Sequence, residues 1–297
     1  MADLLKLLAD RKILLSDGGW GSYLIAAGME ATECPELWNL ERPEEIRAIA
    51  RMYAEAGADV VMTNSFGSTA LKLASYGLSE QADAMNEAAA RLSREAVGEA
   101  CVVLGSMGPT GKLLMMGDVT EEEIYDSFAR QARALERGGA DAVAVETMSA
   151  LDEAALGVRA VKENTGLVVV ASFTFDDRGE KGYRTMMGVS PEEMGAAMVE
   201  AGADLLGVNC TLSAGGMVGL VAALHQSCPD HAILVHPNAG QPQCRADGRV
   251  YYLETPEEMA SHIPELVDAG ARIIGGCCGT GPDHIRALHR ALETFRD

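Results

Sequence analysis

The 297-residue sequence predicts a single (β/α)8 TIM barrel of the α/β class, filling residues 1–297 as one domain. Three observations carry that prediction. A helix-end, glycine, strand pattern recurs four times, and each interval between copies holds one more strand and helix. No Pro/Ser-rich or low-complexity stretch breaks the alternation, as a two-domain chain would require.

The repeat reads Gly57-Ala58-Asp59 before Val60-Val61-Met62, and Gly139-Ala140-Asp141 before Ala142-Val143-Ala144-Val145. It returns as Gly202-Ala203-Asp204 before Leu205-Leu206-Gly207-Val208, and as Gly270-Ala271-Arg272 before Ile273-Ile274. In each copy a helix ends, the glycine suits a left-handed C-cap, and a short apolar strand begins. These are the second, fourth, sixth and eighth strands. The first is Ile13-Leu14-Leu15, ahead of the repeat. A strand-plus-helix unit needs at least about 30 residues, so each interval has room for one more. The third strand, Val102-Val103-Leu104-Gly105, follows a helical stretch at 82–99. The fifth, Val168–Phe173, follows 151–163, and the seventh, Ile233-Leu234-Val235, follows 217–226. All are apolar on both sides, as in a parallel sheet covered by helices.

With 44 acidic against 24 basic side chains, the formal net charge is -20. That balance disfavours nucleic acid and anionic membrane, which attract basic patches. No run of about 18 apolar residues is present to span a bilayer. The N-terminal stretch is interrupted by Asp3, Lys6, Asp10, Arg11 and Lys12, so no signal peptide is expected and the protein is expected to be cytoplasmic. Its seven cysteines are then expected to be thiols, and clusters of them point to metal or catalysis before disulfides.

Barrel chemistry sits where strands end. The strand ends here carry Ser16-Asp17-Gly18-Gly19, Thr63-Asn64-Ser65, Gly105-Ser106, Glu146-Thr147, Thr174, Asn209-Cys210-Thr211, His236-Pro237-Asn238 and Cys277-Cys278. Cys210 and the Cys277-Cys278 pair end the sixth and eighth strands, with glycine on both sides of the pair. Three thiolates suit Zn²⁺, and a catalytic zinc keeps its fourth position for water or substrate. Buried inert thiols are the plainer reading of any one cysteine, but three at equivalent strand ends favour a metal. Adjacent cysteines lack the spacer of a redox pair. The Gly-rich segment 275–281 could instead cradle phosphate at a helix opening at Pro282, yet thiols are poor partners for an anion. Cys34, Cys101, Cys228 and Cys244 lie away from strand ends and are read as inert, Cys244 with the least support. Asp17 and Glu146 could hold a substrate ammonium by charge-assisted hydrogen bonds. Trp38 is read as a hydrophobic plug, against a stacking surface for a cationic methyl donor.

From Asp17-Gly18-Gly19 through Thr63-Asn64-Ser65-Phe66-Gly67, Gly108-Pro109-Thr110-Gly111, Glu146-Thr147, Gly207-Val208-Asn209-Cys210, Pro237-Asn238-Ala239-Gly240 and Gly275-Gly276-Cys277-Cys278-Gly279-Thr280, the chain resembles the homocysteine S-methyltransferase family. The likeness extends to the homocysteine-binding module of cobalamin-dependent methionine synthase and covers nearly the whole chain. It implies one Zn²⁺ per chain on Cys210, Cys277 and Cys278, and homocysteine as methyl acceptor, giving methionine. It implies a homocysteine site at Asp17, Gly18, Gly19, Glu146 and Asn238, the first and fourth on the amino group and Asn238 beside the metal. No protein side chain is assigned a catalytic role beyond activating the substrate thiol.

The donor is a separate question. The betaine-using branch of the family carries a zinc-ligand tyrosine after the second strand, where this chain has Phe66-Gly67-Ser68. The Gly-Pro-Thr-Gly, Pro-Asn-Ala-Gly and Glu-Thr forms look more like the corrinoid-using module. No Asp-x-His-x-x-Gly corrinoid motif is present, so the expected donor is a methyl-corrinoid on a separate protein. S-methylmethionine or another onium donor is the alternative, and a barrel that binds zinc or thiol without catalysis is a third reading.

Overall fold

The structure, a computed structural model, describes residues 3–30, 32–244 and 250–296. Eight parallel strands follow one another around a barrel: β1 (Leu14–Leu15), β2 (Val60–Met62), β3 (Val102–Met107), β4 (Ala142–Met148), β5 (Val168–Phe173), β6 (Leu205–Ser213), β7 (Ile233–Asn238) and β8 (Ala271–Ile274). Each pairs with its sequence neighbours, and β8 pairs with β1. The last gap, between β1 and β2, is spanned by a parallel bridge from Ser16 to Val60. The barrel of the sequence reading is therefore present, with all eight strands at their expected places.

Strand alternation divides the apolar residues into two layers. Leu14, Val60, Met62, Val102, Leu104, Ala142, Ala144, Val170, Leu205, Leu234 and Ile273 pack together inside the barrel. The intervening Leu15, Val61, Val103, Val143, Val145, Val169, Leu206, Val208, Val235 and Ile274 pack outward against the helices. Helix Glu121–Arg137 shows how the outer layer is built. Thr120 and Glu123 form a capping box at its start, and Ile124, Phe128, Ala132 and Leu135 recur on its buried face.

The four repeat glycines, Gly57, Gly139, Gly202 and Gly270, all have positive φ between 96° and 115°, the conformation that ends each helix and releases the strand. The aspartate two residues later has a function that periodicity did not expose. Asp59 donates its N–H to Leu15 O at 2.7 Å and accepts Leu15 N–H on Oδ2 at 2.8 Å. Asp141 does the same to Val103, and Asp204 to Val169. Each carboxylate thus ties an even strand to the odd strand before it. Each also takes a cation: Arg11 and Arg296 on Asp59, Arg94 on Asp141, and Lys162 on Asp204. In the fourth copy Arg272 replaces the aspartate and donates to Ala271 O at 2.8 Å.

Strands β6 and β7 run further than their apolar stretches. Asn209 pairs with His236 and Ser213 with Asn238, with a register shift between. Two hairpins absent from the sequence reading rise over the C-terminal face, Asp176–Asp177 with Tyr183–Arg184 and Gln243–Cys244 with Val250–Tyr251. Among the described residues no helix is long and apolar enough to cross a membrane.

Asp59→Ala should lower the unfolding free energy by about 3 kcal/mol, since it leaves Arg296 and the Leu15 N–H without their partner. Urea denaturation checks this, and a loss below 1 kcal/mol would show that the ladder closes the barrel without the carboxylate.

Candidate active site

At the next inward position beyond the apolar interior layer, two residues further toward the C-terminal end of the strand (four in β6, past Gly207), the side chains turn polar: Ser16, Ser106, Glu146, Ser172, Asn209 and His236, all buried. They form the floor of the barrel mouth, and four of them are joined in two pairs. Ser106 Oγ donates to Glu146 Oε1, and Ser172 Oγ donates to Asn209 Oδ1 at 2.7 Å. Asn209 also accepts the Thr147 N–H at 3.0 Å and donates to Thr147 Oγ1 at 2.7 Å, tying the end of β4 to β6.

Two carboxylates lie in this layer without an ion-pair partner among the described residues. Asp17 is fully buried; its Oδ2 accepts Trp20 Nε1 at 2.8 Å and the Met62 N–H at 2.9 Å, leaving Oδ1 with only a 3.4 Å contact from Ser16. Burial pushes its pKa from an ordinary 3.8 to about 7 against those hydrogen bonds. Glu146 is pushed from 4.5 to about 7 by burial, with the nearby Asp17 charge adding to the shift. Uncompensated carboxylates this deep call for a cation. His236 is buried with Nε2 unpartnered, and burial depresses its pKa to about 4, so it is neutral.

The three cysteines meet beside these carboxylates. The sulfurs of Cys210, Cys277 and Cys278 all lie within 4.8 Å of one another. Three thiolates on a tetrahedral zinc at about 2.3 Å stand about 3.8 Å apart. Cys278 Sγ is 4.0 Å from each of the other two, which fits that donor set. The Cys210 and Cys277 sulfurs lie in contact, with Cα atoms 5.7 Å apart, and the other five cysteines are free thiols. The closeness that lets two thiols share a metal also lies within disulfide reach. Burial and Glu146 raise the Cys278 thiol pKa.

The backbone that aims Cys210 is unusual. Cys210 and Thr211 both have φ near +60°, as does Thr147. Left-handed non-glycine residues carry strain and persist where surroundings hold them. Here Asn209 pins Thr147, and Thr174 and Thr211 share a hydroxyl hydrogen bond at 2.7 Å.

The other expected site residues also meet the cysteine turn. Gly19 donates its N–H to Thr280 at 3.0 Å (Oγ1), and a Cβ there would stand 2.5 Å from Cys277 O. Gly18 faces Thr280 and Tyr53 in the same way. Both let β1 approach the 277–280 turn; the Gly19 N–H is taken by Thr280, while the buried Gly18 N–H has no hydrogen-bond partner among the described residues. Asn238 Oδ1 accepts the Cys278 N–H at 3.1 Å, so it holds a cysteine in place. Thr63 and Ser65 bond to each other and to Ser106, and Asn64 to Asn39, so that strand end braces loops. Trp38 is buried with the Arg42 guanidinium 4.1 Å from its ring centroid, in keeping with the plug reading. Cys34 and Cys101 are buried, and Cys244 is exposed away from the trio. Sequence reasoning gave no role to Ser106, Asn209 or His236. All three carry the period-two alternation past the apolar run, which was the available signal.

The profile of the family described as Homocysteine S-methyltransferase matches residues 14–292. The chain is 33% identical to methionine synthase of Mycobacterium leprae (strain TN), over 99% of this chain and 25% of that protein. It is also 33% identical to methionine synthase of Mycobacterium tuberculosis (strain ATCC 25618 / H37Rv), over 99% of this chain and 26% of that protein. It thus spans about a quarter of the length of these curated relatives. Among solved structures, the homocysteine methyltransferase MmuM from Escherichia coli in its metallated form matches with TM-score 0.77 and 27% identity, over 97% of this chain and 99% of that chain. Its oxidized form matches with TM-score 0.78 and 27% identity, over 98% and 99%.

The raised carboxyl pKa values fix the sign of a pH effect. In the folded protein Asp17 and Glu146 keep protons up to about pH 7 that the unfolded chain releases near 4. Their stabilisation is complete below about pH 4 and lost as pH rises through 7. His236, depressed from 6.5 to about 4, works in the opposite sense between those values. Metal-free Glu146→Gln should therefore gain stability relative to wild type as pH rises from about 5 to 8. Parallel urea titrations check this; a difference that does not change with pH would contradict the assignment.

Proposed function

This chain belongs to the homocysteine S-methyltransferase family, and from that premise we propose that it methylates the sulfur of homocysteine to give methionine, at zinc held by Cys210, Cys277 and Cys278. One observation carries the reading: two buried carboxylates with no cation stand beside three convergent thiols in one barrel mouth. Homocysteine has an ammonium for the first and a sulfur for the second.

Zinc bound by the three cysteines would hold the substrate sulfur as a thiolate at neutral pH, where a free thiol is mostly protonated. The protein's own groups do the rest. Glu146 Oε2 and Asp17 Oδ1 are the oxygens least used by internal hydrogen bonds, and they receive the ammonium. Its charge draws both carboxyls into their ionised form, so binding below about pH 7 expels protons from them. Anchoring the ammonium at β1 and β4 directs the acceptor side chain toward Cys210 at the end of β6 and Cys278 just after β8. Ser106 holds Glu146 and Asn209 holds the strained ends of β4 and β6, so the two poles keep a fixed separation. The sulfur would then attack the donor methyl in line, forming the S–CH3 bond as the methyl–donor bond breaks and its electron pair leaves with the donor, and the thioether product would bind a metal less well than the thiolate.

A methyl-corrinoid carried on a separate protein is the donor in this reading, supported by the two relatives named methionine synthase. Phe66 stands where the betaine-using branch has tyrosine, and Arg42 covers Trp38, so neither serves an onium donor.

Reduced protein should bind one zinc per chain and release protons when homocysteine is added, measured by calorimetry in buffers of different ionisation enthalpy. Zinc-loaded protein with no response to homocysteine would remove this function. Glu146→Gln should weaken homocysteine binding about 10- to 100-fold, the worth of a charged hydrogen bond, while zinc content stays at wild type. In turnover assays methylcobalamin should serve as donor. S-methylmethionine active with methylcobalamin inert would overturn the donor assignment.

A further inference from the structure

The hairpin after β5, Asp176–Asp177 with Tyr183–Arg184, stands beside the mouth and is pinned at three points. Thr174 at its base shares a hydroxyl hydrogen bond of 2.7 Å with Thr211, the residue after Cys210. Thr185 Oγ1 donates to Ser149 O, just past β4, at 2.8 Å. Tyr183 lies against helix Ala214–Ser227, where a Cβ on Gly219 would stand 2.6 Å from its hydroxyl oxygen. The charges this hairpin carries are therefore held at a fixed place over the barrel.

The hairpin walls a cavity of about 810 Å³ in which Arg178, Lys181 and Arg184 face a single acid, Glu180. A second opening, of about 410 Å³, shares Arg178 and reaches Thr211 and Leu212 at the end of β6. The neighbouring carboxylates are engaged elsewhere: Asp176 pairs with Arg178 at 2.7 Å, and Asp177 Oδ1 accepts the Gly179 N–H at 2.8 Å. Arg184 donates to Tyr183 O at 2.7 Å, and neither it nor Lys181 forms an ion pair among the described residues. A surplus of cations here runs against a chain with 44 acidic and 24 basic side chains. Met186, 76% exposed, adds a soft apolar surface to the same wall.

We infer that this cavity is a subsite for the methyl donor, in which Lys181 and Arg184 bind a phosphate on the end of the donor remote from the methyl group. The inference rests on the corrinoid donor of the proposed function. Ammonium and guanidinium groups form charge-assisted hydrogen bonds with phosphate oxygens, and they repel a cationic sulfonium or ammonium donor. A corrinoid that keeps its nucleotide carries such a phosphate on a flexible arm. Small-molecule sites measure about 300–1,000 Å³, so the cavity takes that arm and leaves the corrin ring over the mouth, where Cys210 lies.

The test uses the full zinc-loaded chain with two donors, methylcobalamin and methylcobinamide, the second lacking the nucleotide and its phosphate. Lys181→Gln combined with Arg184→Gln should raise the KM for methylcobalamin about 10-fold, the worth of a charged hydrogen bond. The KM values for methylcobinamide and for homocysteine should stay at wild type. Lys181→Glu alone, at an exposed position, should raise the methylcobalamin KM in the same way, and Arg184→Lys, which keeps the charge, should not. If wild type turns over methylcobalamin and the variants leave its KM unchanged, or raise the KM of both donors alike, the inference is overturned while the corrinoid donor stands. If wild type uses neither corrinoid, the donor reading falls and the inference with it.

Discussion

Everything at the mouth of this barrel depends on a seam being closed at its other end. β1 contributes two residues to the sheet, too few for a ladder that holds by itself. Asp59 makes up the deficit by exchanging backbone and side-chain hydrogen bonds with Leu15 while Arg11 and Arg296 neutralise it. The helix before β1 and the C-terminal segment are thereby drawn to one carboxylate. Asp17, two residues past Leu15, takes its position from that seam, and its Oδ2 reaches across to the Met62 N–H of β2. The site carboxylate thus completes at the top the same junction that Asp59 makes below.

A second constraint is electrostatic. Asp17 and Glu146 are buried near each other with neutral neighbours, and ionising both is unfavourable until a cation arrives. Below about pH 7 these carboxyls therefore keep protons that a bound cation would displace. This arrangement discriminates for an amino group, because a neutral or anionic ligand would leave the carboxylates uncompensated. The thiol trio discriminates separately, for a soft metal and a sulfur ligand. An acceptor that satisfies both must carry the two groups on one short skeleton.

The strained backbone lies between these two poles. Thr147, Cys210 and Thr211 all adopt positive φ at the ends of β4 and β6, bridged by Asn209. Relaxing Cys210 would swing its sulfur away from Cys278, so the hydrogen bonds of Asn209 and Thr211 hold a geometry the chain would not adopt alone. The loop after β7 makes the matching restraint on the other side, through Asn238 and Ala239.

Much of this was legible in the residues themselves. The Gly-Ala-Asp repeat located the strands because a left-handed helix end and an apolar run are local signals, fixed by backbone sterics and burial. The glycine-flanked cysteine pair, Cys210, Asp17 and Glu146 followed once barrel topology assigned all strand ends to one face. The contacts among them were not legible. Asn238 and Gly19 turned out to hold the cysteine turn, and Asp59, Asp141 and Asp204 to tie strand to strand. The sequence by itself determined the architecture, the ligand types and the end of the barrel where they gather. Tertiary structure alone decided which hydrogen bonds are already spent and which carboxylates lack a cation. Those depend on distances and dehydration between residues far apart in the chain, which local pattern does not encode.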